Sequence, residues 1–138
     1  DAEFIIGKAD VLQEGKDVTI IACGHLVWKS IEAAKILSEQ GISVELINMH
    51  TIKPLDAAAI LKSVAKTSCV VTAEEHMRNG GLGEAVAQVL GEHLPRPHEF
   101  VAVNDTFGES GSPMELMTKY GIDTQNVVAA ALKAISRK

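Results

Sequence analysis

The chain has 138 residues, 46% of them apolar but only 4% aromatic, with a formal net charge of -5. That length fits one domain over 1–138 with an aliphatic, alanine-rich core, and the acidic balance, with no basic stripe to displace counterions, argues against nucleic acid as a partner. No run of about 18 apolar residues exists to span a membrane, and Asp1-Ala2-Glu3 is acidic where a secretory leader is basic.

The first residue is not Met, so a piece of a longer polypeptide or a processed product is expected. Ala9-Asp10-Val11-Leu12 predicts a short strand, and Val18 to Cys23 predicts the strongest one, ended by Gly24. A helix from Leu26 to Gln40 follows, with Val27, Ile31, Ala34 and Leu37 inward and Gly41 as its left-handed stop. Trp28 falls on the polar arc beside Glu32 and Lys35, which makes it either a peripheral residue or a partner contact. Ser43 to Ile47 is the next strand. Asp56 caps a helix to Lys66 built on Ile60, Leu61 and Val64.

Ser68 to Thr72 predicts a strand buried on both faces. A turn from Thr72 to Gly83 leads into a helix with Leu82, Ala85, Val86, Val89, Leu90 and His93 on one side. Leu94-Pro95-Arg96-Pro97 forbids regular structure, and Glu99 to Val103 is the last strand. After a polar loop over 105–112, two helices are expected, one from Pro113 to Tyr120 and one from a Thr124 cap to Ser136. Strand and helix alternate throughout, which means a parallel sheet with helices on both faces. The first strand has no crossover helix before the second, so it is expected as an antiparallel edge.

The Thr72 to Gly83 turn is the densest in charge and carries the candidate chemistry. Asn79-Gly80-Gly81-Leu82-Gly83 offers amides for a phosphate. Against this, the spacing is not G-x-G-x-x-G, and each of Glu74 and Glu75 within about 6 Å would cost a bound phosphate roughly 2 to 3 kcal/mol at an effective dielectric near 20. Glu74 and Glu75 are not read as an acid/base pair, because successive residues on extended backbone point to opposite sides. His25, His50 and His76 each follow a strand and so share one edge of the sheet, without metal-ligand spacing. Ser110 lacks the G-x-S-x-G context of a nucleophile. Cys23 ends one strand and Cys69 begins another, about 10 to 15 Å apart even in neighbouring strands, so both are expected as free buried thiols of a reducing, cytoplasmic compartment.

Gly7 to Leu12, Val71 to His76 with Gly80 to Val86, and Phe107 to Gly111 with Glu115-Leu116 and Lys119 to Ile122 resemble the carboxyl-terminal domain of transketolase over essentially the whole chain. The resemblance implies a three-layer α/β/α domain whose five-stranded, mostly parallel sheet has one antiparallel edge strand. It also implies an enzyme that transfers a two-carbon ketol unit between sugar phosphates. In that family thiamine diphosphate and magnesium are held by two other domains, so no catalytic, cofactor-binding or metal-binding residue is carried onto this chain, which alone is expected to be inactive. The implied partners are the thiamine-binding domains or subunit, in a homodimeric enzyme. Deoxyxylulose phosphate synthase and the beta subunit of 2-oxo acid dehydrogenases share the domain, and a free-standing regulatory or interaction domain is the alternative. Glu74, Glu75, His76, Arg78, Gly80, Gly81 and Gly83, with Trp28, are the candidate interface residues: a charged turn fixed by a strand and a helix loses little entropy on docking.

Overall fold

Val18–Ala22 is buried at every position, as an apolar run with helices on both sides requires. In the computed structural model, which describes residues 8–50, 54–77, 81–103 and 123–138, this strand is the centre of a five-stranded sheet. Strands β1 (Asp10–Gln13), β2 (Val18–Ala22), β3 (Val44–Asn48), β4 (Val70–Met77) and β5 (His98–Val103) lie in the order β1-β3-β2-β4-β5. The pairs β2–β3, β2–β4 and β4–β5 are parallel, and β1 runs antiparallel to β3 with Asp10 opposite Asn48. The expected antiparallel edge is therefore present, seated on β3.

Helices α1 (Leu26–Glu39) and α4 (Thr124–Ser136) cover one face of the sheet, and α2 (Ala57–Thr67) with α3 (Leu82–His93) cover the other. Alternation along β2 sorts its side chains between them. Val18, Ile20 and Ala22 join the α1/α4 core, whereas Ile21 and Cys23 join the α2/α3 core. Thr19 faces α2, where its hydroxyl bonds Ser63 and Thr67 at 2.8 and 2.6 Å. On β3, Glu45 is buried on that same side and bonded by Lys66 of α2 and by the Gly15 amide at 3.0 Å. Burial would raise this carboxyl's pKa, but the bonds from Lys66, Gly15 and Ser63 outweigh it and hold the group below the usual carboxylate range.

Several local expectations hold, and others need correction. Asp56 caps α2 by accepting the Ala59 amide at 3.1 Å, and Gly41 follows α1 at φ +82°. The buried face of α1 is Leu26, Ser30, Ala33, Ala34 and Leu37, so Ile31 turns outward at 41% exposure. Small side chains are what let α1 lie close to the sheet and α4. In α2, Ser63 and Thr67 join Ile60 and Val64 inside, and His93 of α3 is exposed. Asp123, one residue before the expected Thr124, caps α4 by accepting the Asn126 amide at 3.2 Å. The expected helix over 113–120 and the loop over 105–112 lie outside the described residues.

Cys23 and Cys69 are buried and free, on opposite faces of the sheet. Burial, then Glu74 and Glu75, push the Cys23 thiol up to about 11, so it stays protonated and non-nucleophilic near neutrality.

Candidate docking site at the carboxyl edge of the sheet

β4 runs five residues past the expected strand end, to Met77, so Glu74, Glu75 and His76 belong to a strand and not to a turn. Ala73 lies opposite Val101 and Met77 opposite Val103, so β4 spends four residues where β5 spends two. Such a bulge re-aims side chains at the end of a strand. Glu74 and Glu75 do point to opposite faces, and each reaches the start of the helix on its own side.

Glu74 is fully buried and accepts the Leu82 amide at 2.7 Å and the Gly83 amide at 2.6 Å. These are orphan N–H groups of the first turn of α3, whose N-cap, Gly81, has no side chain to satisfy them. The carboxylate thus supplies the cap from the strand and places negative charge at the positive end of the helix. Gly83 has to be glycine for a different reason. A Cβ there would stand 2.5 and 2.6 Å from carbons of the Phe100 ring. Beneath this contact Phe100 stacks on His98 at 4.0 Å, and His98 Nε2 meets Thr72 Oγ1 at 2.8 Å.

Glu75 grips α1 in the same manner. Its Oε1 accepts the His25 amide at 3.2 Å, and its Oε2 lies 3.3 Å from Nδ1 of the same histidine. Gly24 precedes it at φ +63°, and a Cβ at Gly24 would stand 2.5 Å from Glu75 Oε1. Glycine therefore serves both the left-handed backbone and the approach of the carboxylate. His50, on the segment leaving β3, pairs with Asp10 of β1 at 2.7 Å. Among the described residues no cluster of three His, Cys, Asp or Glu side chains suits a metal ion.

The expected site residues are therefore divided. Glu74 is corrected from a surface acid to a buried cap, and Gly81 and Gly83 are buried with it. Glu75 is partly exposed, its side chain at 31%. Trp28 stands outward on α1 at 72% exposure. The His76 side chain, Arg78 and Gly80 lie outside the described residues. In the sequence His25 stands out only for following a strand, and its contact with Glu75, 50 residues away, is tertiary. The legible signal is the glycine before it.

The Leu82 and Gly83 amides of α3, which a phosphate at this helix start would use, are already bonded to Glu74, so this helix start does not fit the diphosphate of thiamine diphosphate. The fold and this edge define a doubly wound α/β domain whose strand-end acids hold its own helices. The chain belongs to the transketolase carboxyl-terminal domain family, whose description, "Transketolase, C-terminal domain", matches residues 7–127. It is 47% identical over 136 residues to the 6-deoxy-6-sulfo-D-fructose transketolase subunit SqwH of Clostridium sp. strain MSTE9, covering 99% of this chain and 42% of that one. It is 37% identical to an apulose-4-phosphate transketolase subunit of Phocaeicola vulgatus, covering 99% and 44%. A solved structure described as a split gene transketolase, inactive beta4 tetramer, superposes with a TM-score of 0.95 at 48% identity, covering 99% of this chain and 45% of that one. The chain thus spans less than half the length of each.

Proposed function

We propose that residues 1–138 act as one domain of a cytoplasmic, thiamine-diphosphate-dependent transketolase, homodimeric when complete, that moves a two-carbon ketol unit between sugar phosphates. Its part is assembly, and the chemistry belongs to the thiamine-binding domains or subunit. The observation that carries this reading is the occupied α3 N-terminus: Glu74 takes the Leu82 and Gly83 amides, so the helix start where this chain most resembles a phosphate site is spent on holding strand to helix. The named relatives support it, being transketolase subunits of more than twice this length.

Calorimetric titration of the chain with thiamine diphosphate and magnesium tests the division of labour. The diphosphate requires a cation held by oxygen ligands, and both strand-end carboxylates are engaged by amides of this chain. No binding heat is expected, and micromolar affinity for the cofactor would sink the assignment.

A further inference from the structure

The ladder between β4 and β2 ends at the Ala73–Ala22 pair, and the ladder between β4 and β5 passes from Ala73 opposite Val101 to Met77 opposite Val103. Across that interval two consecutive acids grip the helices on either side of the sheet. Glu74 accepts the Leu82 and Gly83 amides at the start of α3, at 2.7 and 2.6 Å, and Glu75 accepts the His25 amide at the start of α1, at 3.2 Å. Glycine lets both helix starts come this close. A Cβ at Gly83 would stand 2.5 Å from a Phe100 ring carbon, and one at Gly24 would stand 2.5 Å from Glu75 Oε1.

Bonds made by adjacent residues of one strand share their ordering cost. Once the backbone at Glu74 is fixed for α3, little freedom is left to lose when Glu75 binds α1, and the reverse holds equally. Releasing either acid loosens the peptide that aims the other. The two helix starts lie on opposite faces of the sheet, yet each depends on the same few residues of β4.

We propose that the end of β4 is a two-sided latch: residues 74–77 and the starts of α1 and α3 open and close as one unit, below the free energy of global unfolding. A contact that displaces the strand end then reaches both helix layers together. Contiguous units that open cooperatively within a native fold are the general case, and a two-state element biased from two sides is what coupling between those sides physically requires. The latch rests on these bonds and stands apart from the proposed function.

Native-state hydrogen exchange of the full chain, followed by NMR across a urea series, tests it. In the parent chain the amides of His25 and of Val27, which bonds the Gly24 carbonyl, are expected to match those of Leu82 and Gly83 within about threefold in protection, with one urea dependence. Ile20 and Ile21, fully buried in β2, should be better protected and report global unfolding. Glu75→Ala removes no bond to α3, yet should speed exchange at Leu82 and Gly83 about threefold. Glu74→Gln leaves the α1 bond in place, yet should speed His25 and Val27 tenfold or more. Should Glu74→Gln fail to fold, Glu75→Ala decides alone. Acceleration confined to the helix that the replaced acid holds would overturn the latch. So would helix starts that match Ile20 and Ile21 in rate and urea dependence, because they would then open only with the whole domain.

Discussion

Glu74→Ala is expected to lower the unfolding free energy by about 4 kcal/mol, because it orphans two buried amides at about 1–3 kcal/mol each and removes a charge from a helix N-terminus. The carboxylate is fully buried, with bonds of 2.7 and 2.6 Å, and Gly81 offers no substitute. Glu74→Gln keeps the shape and one acceptor, and should lose about 2 kcal/mol. Glu75→Ala, at a partly exposed carboxylate, should lose less than about 1 kcal/mol. Urea unfolding of the three variants measures this ordering. Equal, small losses at Glu74 and Glu75 would mean that the inward acid caps nothing.

The second large effect is on acid stability. Burial, offset by Glu99 and reinforced by Arg137, lowers the His98 pKa from 6.5 to about 4. The unfolded chain takes this proton near pH 6.5, and the folded one refuses it until about pH 4. Between those values the unfolded state binds more protons, so stability falls as pH falls, by about 3 kcal/mol in all. The contribution is fully present above pH 6.5 and is lost on the way down to about 4. Glu45, whose pKa lies below its ordinary 4.5, adds a loss of the same sign at lower pH. His98→Gln retains a polar reach to Thr72 without titrating, and should flatten the profile of unfolding free energy between pH 4 and 6.5. A slope in that variant as steep as in the parent chain would remove His98 as its source.

The alternation of strands and helices, and the edge strand without a crossover, are legible because hydrophobic period and connection length are local properties. The partner of that strand is not: β1 lies on β3, and register is decided by tertiary packing. The extent of β4 is hidden for a related reason. Glu74-Glu75-His76 has the charge of a turn, and only the helix starts on either side of the sheet explain acids on a strand. Ile31 reads as inward on hydrophobicity, whereas Ser30 and Ala33 are the residues small enough for the contact. Glu45 is equally illegible, since its polar position in an alternating strand gives no sign of Lys66 across from it. At the site, the paired acids and the glycines are visible, and the opposite directions of the acids follow from the pleat alone. What each acid holds is not, because both bonds close across a sheet edge.

The proposed function gives assembly to this domain and the cofactor to other parts of the enzyme, and deletion separates the two most directly. The measurement is calorimetric affinity for thiamine diphosphate in the complete enzyme and in a form lacking the segment that corresponds to this chain, with sedimentation and ketol transfer followed on the same samples. Retained cofactor affinity, a smaller sedimenting species and lost ketol transfer are the predicted result. Lost cofactor affinity in a form that still assembles to full size would contradict it.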